Sequence, residues 1–238
     1  MFFMGTIFKK LSNLLIKYLN SYVRPINRHS THTFEKLKNS LRPGDVLLVE
    51  GTQRFSRGIK YLTQSNWSHS ALYLGEEKIF EADIEEGVRI VDLELYRDYH
   101  TRICRPCHLR DEDLQTIIDF CKSRVGYTYD LKNIFDLARY LLPAPPVPNR
   151  WKRKLLEFGS GDPTKVICSS IIANAYQKVH YPILPEVKKN KKGFFFKKRH
   201  PTLFTPSDFD RSPYFQIIKP TLEAGFDYKN FTWGSEGP

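Results

Sequence analysis

His69 and Cys168 are the two side chains whose surroundings suggest chemistry. His69 stands in Trp67-Ser68-His69-Ser70-Ala71-Leu72-Tyr73-Leu74-Gly75, and Cys168 in Val166-Ile167-Cys168-Ser169-Ser170-Ile171-Ile172-Ala173. The first stretch alternates like a strand, with His69, Ala71 and Tyr73 on one face and Ser70, Leu72 and Leu74 on the other. The second opens a helix, because Ile167, Ile171, Ile172, Ala175, Tyr176 and Val179 recur with a 3.6-residue period. A thiol in the first turn of a helix meets the positive end of the macrodipole, which favours the thiolate. An imidazole on a rigid strand can act as its base. Singly these signals are ordinary, since a buried cysteine is commonly an inert small hydrophobe. Together they predict a thiol-based catalytic centre.

The elements that must position this pair can be read along the chain. The turn Arg42-Pro43-Gly44-Asp45 feeds a strand over 46–50, after a polar linker or short helix at 27–39. A helix over 53–63 precedes the His69 strand. Strands over 78–82 and 88–93 continue a meander through the turn Glu85-Glu86-Gly87, and a further strand covers 101–106. Asp111 is placed to cap a helix over 112–125, closed by Gly126. A second helix, 130–142, is stopped by Pro143-Ala144-Pro145-Pro146-Val147-Pro148. That proline-rich run and the basic residues 150–154 form a loop or partial lid. The Cys168 helix follows and ends before Tyr181-Pro182, and no internal repeat is visible.

Composition limits the function classes. With 238 residues, 41% hydrophobic and 14% aromatic, the chain can build a substantial core, which excludes wholesale disorder. A formal charge of +11 points to an acidic partner: nucleic acid, an anionic membrane or a polyanionic substrate. Four cysteines are too few and too unevenly spaced for a secreted disulfide framework. Cys104-Arg105-Pro106-Cys107-His108 has the spacing of a c-type haem attachment, but reads more simply as a strand end entering a turn. A zinc site lacks a second Cys/His pair at ligand spacing.

At the N-terminus, lysines at 9, 10 and 17 interrupt the apolar run, and no small-residue cleavage site follows. The run is also too short and too charged to span a bilayer. Met4, Ile7, Phe8, Leu11, Leu14, Leu15, Leu19 and Tyr22 recur at helical spacing, which fits a basic amphipathic helix on a membrane surface or a helix docked on the protein itself. A cytoplasmic location, with peripheral membrane association, is the expectation. The run 188–199 places three phenylalanines between basic clusters, suited to an anionic lipid interface; base stacking on nucleic acid is the less favoured alternative, and a solvated loop the plain one. The chain thus divides into an N-terminal amphipathic helix and linker (1–40), a main domain (41–220) with loops at 143–165 and 187–200, and a C-terminal tail (221–238).

The ordered set Pro43-Gly44-Asp45, Trp67-Ser68-His69, Glu81-Ala82, Gly126-Tyr127-Thr128-Tyr129-Asp130, Ile167-Cys168-Ser169-Ser170 and Thr205-Pro206-Ser207-Asp208 resembles a known group. It is similar to the circularly permuted papain-like amidases of the YiiX/YaeF type, which are related to NlpC-type cell-wall hydrolases and to lecithin:retinol acyltransferase. In the unpermuted relatives the cysteine helix precedes the histidine strand; here the histidine comes first. The resemblance covers about residues 41–219 and implies an α+β fold, a small antiparallel sheet or barrel packed against helices. It also implies that Cys168 is the nucleophile, His69 the general base, Glu81 the residue that orients the imidazole, and Tyr129 an oxyanion donor alongside the Cys168 N–H. Adjacent antiparallel strands hold opposed side chains about 5 Å apart, so Glu81 can reach His69. NlpC-type enzymes carry an Asp before the nucleophile that grips a free amine; Ile167 cannot pair with an ammonium group, which argues against that peptide as substrate.

These readings converge on a cysteine hydrolase working through an acyl-thioester on an amide or ester bond, at a membrane surface. A lipid acyltransferase or phospholipase of the lecithin:retinol acyltransferase kind, or an inactive membrane-associated scaffold, are the alternatives. Neither metal nor cofactor is implied.

Overall fold

A computed structural model describes residues 33–83, 86–127, 167–190 and 193–225, with 227 and 229. The N-terminal amphipathic stripe, Tyr129, the helix expected over 130–142 and the proline-rich loop lie outside those residues.

The centre is a six-stranded antiparallel sheet in the order β4-β3-β2-β1-β5-β8. Its strands are β1 (Val46–Val49), β2 (His69–Gly75), β3 (Lys78–Asp83), β4 (Gly87–Asp92), β5 (Thr101–Pro106) and β8 (Phe215–Ile218). The alternation read from sequence is the pleat of this sheet. Val46, Leu48 and Leu72 face one cluster, while Leu47, Val49, Ala71 and Tyr73 face another on the opposite side. β1 is buried on both faces because it is central, which is why its sequence is an unbroken apolar run.

Helix α1 (Phe34–Ser40) covers the Ala71 face through Phe34 and Leu37; its N-cap Thr33 accepts from the Lys36 N–H. The short-helix option for 27–39 is therefore realised, shifted toward its C-terminal end. Helix α2 (Arg54–Thr63) links β1 to β2. The other face carries α3 (Asp111–Lys122), α4 (Ile167–Lys178) and α5 (Pro206–Asp210), with α4 lying over β2 and β3. α6 (Pro220–Glu223) returns to pack on α1.

Several boundaries differ from the sequence reading; among them, α3 ends at Lys122 with Ser123 as its C-cap, short of the expected Val125 and Gly126. Arg110, not Asp111, is the N-cap of α3; Asp111, Glu112 and Asp113 all sit inside the first turn, where acidic side chains offset the helix dipole. Within 187–200, the backbone forms a hairpin of β6 (Glu186–Asn190) and β7 (Gly193–Lys197) rather than a plain loop. No described helix is long and apolar enough to cross a membrane.

The Pro43-Gly44-Asp45 turn is a structural joint. Tyr73 exchanges backbone hydrogen bonds with Gly44 and Asp45 at 2.9 Å each. Gly44 sits at φ +88°, and its carbonyl accepts from Tyr176 of α4 at 2.5 Å. The Asp45 carboxylate, 1% exposed, takes two hydrogen bonds from Arg105 (2.9 and 2.7 Å) and one from the Arg42 N–H (2.8 Å). Asp45→Ala would strand the half-buried guanidinium, so urea denaturation should show a loss of about 3 kcal/mol, the range for breaking a buried ion pair by removing one partner.

Candidate functional site

The entry to β2 is fixed before His69 is reached. Trp67 is buried, the Ser68 N–H donates to the Val49 carbonyl at 3.1 Å, and the Ser68 hydroxyl accepts from the Gly51 N–H at 2.9 Å. A Cβ at Gly51 would lie 2.3 Å from Ser56 Oγ and 2.8 Å from Ser68 Oγ, so only glycine fits this approach.

β2 and β3 then bring His69 and Glu81 together, though not as directly opposed residues. Their ladder runs through Tyr73↔Ile79 and Leu72↔Phe80 and stops there. One further step would oppose Ala71 to Glu81, which makes His69 the diagonal neighbour. A histidine and a glutamate are long enough to span a diagonal, and His69 Nε2 lies 3.0 Å from Glu81 Oε2.

Cys168, in the first turn of α4, lies beside His69, whose charge and ring N–H favour its thiolate. With Nε2 held by Glu81, Nδ1 is the ring nitrogen left for the sulfur. The first turn of α4 is tied down by the Ser169 hydroxyl, which donates to the Phe204 carbonyl at 2.7 Å. The Thr205-Pro206-Ser207-Asp208 segment fixes that carbonyl in turn: the Asp208 carboxylate accepts from the Thr205 N–H at 2.8 Å and lies 3.4 Å from Arg199.

Sequence reasoning missed two members of the cluster. Arg89 stands directly opposite Glu81 in the β3–β4 ladder and binds Oε1 through Nε (2.8 Å) and Nη2 (2.7 Å). An opposite-charge pair across the predicted 85–87 turn was the available signal. Tyr96, in the 3₁₀ turn Leu93–Tyr96, donates its hydroxyl to Glu81 Oε2 and sits 3.3 Å from His69 Nε2. Its ring lies nearly parallel to the imidazole, with centroids 6.4 Å apart. Nothing in the local sequence marked it. Tyr129 is outside the described residues, but the chain leading to it leaves β4 beside Arg89: Gly126 N–H donates to the Val88 carbonyl at 2.8 Å and Val88 N–H to the Tyr127 carbonyl at 2.9 Å.

The electrostatics follow from this packing. Burial opposes the Glu81 charge, but the hydrogen bond and charge of His69, with help from Tyr96 and Arg89, hold the carboxyl down to about 2. Burial would also lower His69; the Cys168 thiolate and then Glu81 outweigh it and raise the imidazole to about 10. Burial pushes the Cys168 thiol up, yet the charge and hydrogen bond of His69, followed by Ser70, bring it net below the ordinary thiol value. Burial raises the other two core thiols, Cys104 far upward and Cys121 to about 12. Cys104 is fully buried between sheet and helices, closed to a covalent haem. Among the described residues no group of three or more His, Cys, Asp or Glu side chains is placed to hold a metal ion. The arrangement can present an imidazolium-paired thiolate to an electrophilic carbonyl.

Residues 40–140 match the family model described as permuted papain-like amidase enzyme, YaeF/YiiX, C92 family. That stretch contains His69 and Glu81, while Cys168 lies beyond it. The chain is 26% identical over 159 residues to the probable lipoprotein peptidase YaeF of Escherichia coli (strain K12), covering 60% of this chain and 58% of that protein. It thus spans under two thirds of the length of the curated relative it matches. The crystal structure of the metalloprotein yiiX from Escherichia coli O157:H7 superposes with a TM-score of 0.47 and 16% identity, over 76% of this chain and 97% of that one.

These shifts set a pH dependence. Glu81 stabilises the fold above its ordinary 4.5, a contribution that fades as pH falls toward about 2; His69 stabilises it below its ordinary 6.5, lost as pH rises through about 10. NMR titration of the His69 ring should show imidazolium through neutral pH and deprotonation near pH 10. In Glu81→Gln the ring should deprotonate at lower pH, because one of the two anions that hold its proton is gone. A neutral His69 ring at pH 7 in the unmodified protein would contradict the ion pair.

Proposed function

As a relative of the permuted papain-like amidases of the YaeF/YiiX type, and with this geometry, we propose that the protein is a cysteine hydrolase that cleaves an amide or ester through an acyl-thioester. The observation that carries the reading is the cluster of a buried Cys168, the His69 beside it and the buried Glu81 hydrogen-bonded to that His69 at 3.0 Å.

The Cys168 thiolate attacks the carbonyl carbon, forming a C–S bond and moving the carbonyl electron pair onto oxygen. The oxyanion collapses, the bond to the leaving nitrogen or oxygen breaks, and the His69 imidazolium gives that atom its proton. Neutral His69 then takes a proton from water, or from an acceptor alcohol or amine. The incoming nucleophile adds to the thioester, and the thiolate leaves, restoring the ion pair. Glu81 keeps Nε2–H engaged, so the ring presents Nδ1 to the sulfur throughout; it acts through His69 and is a positioning residue. Tyr129 and the Cys168 N–H are the proposed oxyanion donors. Since Ile167 offers no charge for a free amine, an acyl or amide substrate without that amine fits better.

The substrate is proposed to lie at an anionic membrane surface. The observation favouring this is the β6–β7 hairpin, which ends in the exposed Lys197 and is followed by the exposed Lys198, whose Nζ donates to the Gln177 carbonyl of α4. An acyl acceptor other than water would make the same site an acyltransferase. An inactive scaffold would leave Cys168 no more reactive than Cys107.

Acyl-electrophile probes of varied chain length and head group, read by mass spectrometry at Cys168, test the reading. Cys168→Ser should abolish labelling and turnover. His69→Ala should slow turnover by roughly 10²–10⁴-fold, the usual worth of a positioned general base, whereas Glu81→Gln should keep measurable activity. Labelling at Cys107 before Cys168 would refute the assignment.

The membrane reading has its own test. Co-sedimentation should require anionic liposomes and weaken as salt rises, since each basic side chain near such a surface contributes on the order of 1 kcal/mol and is screened. Equal binding to neutral and anionic liposomes would refute it.

A further inference from the structure

Among the described residues, only two buried side-chain oxygens or nitrogens lack a hydrogen-bond partner: Ser70 Oγ and Ser170 Oγ. A buried orphan hydroxyl is costly, and one that persists calls for a cause. Ser70 is wholly buried on β2, beside His69. The strand period turns it to the same side as Leu72, which packs in one cluster with Cys168 and Ile172 of α4. Alanine would fill that position with no orphan, so packing does not explain the serine.

The Ser70 N–H is turned away from β1. Tyr73 exchanges hydrogen bonds with the Gly44–Asp45 turn on the β1 side. By the antiparallel pattern, the Ser70 N–H therefore points the other way, toward β3, where the ladder has already ended at Leu72↔Phe80.

We propose that Ser70 is a donor reserved for the Cys168 sulfur, its hydroxyl kept free of other partners so that it steadies the thiolate before attack and lets go when the sulfur is acylated. The inference rests on Cys168 being the nucleophile. The resting hydroxyl makes no hydrogen bond, yet it is buried on the side of β2 that packs with Cys168, and the Ser70 hydroxyl and N–H both favour the thiolate. Ser70 neither gains nor loses a proton; it only donates. Once sulfur carries an acyl group its negative charge is gone, and so is most of its power to accept. The titratable groups around the sulfur are His69 from β2 and Tyr96 from the 3₁₀ turn, backed by Glu81 from β3 and Arg89 from β4.

The test is the pH dependence of Cys168 alkylation by iodoacetamide on the full chain, read by mass spectrometry, in the unmodified protein, Ser70→Ala and Ser170→Ala. Ser70→Ala should move the acidic limb up by about 0.5–1 pH unit, the effect of one hydrogen bond on a thiolate. Its alkaline plateau should rise about twofold to threefold, because a less stabilised thiolate is a better nucleophile. Its thermal midpoint should hold or rise, since an orphan has been removed. Ser170→Ala should leave the limb in place. If Cys168 remains the fastest thiol but Ser70→Ala leaves the limb unmoved, the inference about Ser70 fails alone. If Cys168 in the unmodified protein reacts no faster than Cys107, the assignment of the nucleophile fails with it.

Discussion

A carboxylate withdrawn from water has to be met by donors on every side, and Glu81 imposes that demand on its neighbours. It is 4% exposed and receives His69, Tyr96 and Arg89. Those three come from β2, a 3₁₀ turn and β4, so the meander must be in register for the charge to be tolerated at all. Once it is, Cys168, His69, Glu81 and Arg89 form a series in which each group's burial is offset by its neighbours. The partly exposed Arg89, which also pairs with Glu86, connects the end of that series to solvent.

The scaffold fixes α4 against this series at two points. Near its C-terminal half, Tyr176 reaches across the core to the Gly44 carbonyl and packs among Tyr181, Phe209 and Phe215. At its first turn, Ser169 holds the Phe204 carbonyl. Two of the short motifs around the site, Pro43-Gly44-Asp45 and Thr205-Pro206-Ser207-Asp208, are thereby explained as anchors of the sheet edge and the cysteine helix.

Much of this was legible in the sequence wherever period or order carried the information. The alternation of residues 69–75 gave the two faces of β2 directly, and the 3.6-residue period of α4 put Ile172, Ala175 and Tyr176 on the core side, where Cys168 is buried with them. His69, Glu81 and Cys168, singled out from residue order and resemblance, do meet in space. What escaped depended on register. Arg89 is opposite Glu81 only once the β3–β4 pairing is known, and Tyr96 reaches the carboxylate only because the 3₁₀ turn folds back over β3. The hairpin at 186–197 was hidden by its lysines, which read as a solvated loop although backbone pairing does not depend on them. The α3 cap was displaced by one residue because three consecutive acids, Asp111, Glu112 and Asp113, all suit a helix start.

The anchoring of Ser169 to Phe204 bears on how the protein comes into being. A ribosome releases His69 and Glu81 early, as part of a meander that can pair locally. Cys168 emerges some hundred residues later, and the Phe204–Asp208 segment that fixes its helix later still. β5 likewise waits for β8 before its outer edge is covered. Until then the cysteine is an ordinary thiol on an undocked helix, with no imidazolium beside it. The cluster of Cys168, His69 and Glu81 is therefore among the last parts of the molecule to assemble, and a nascent or truncated chain carries His69 and Glu81 without Cys168 beside them.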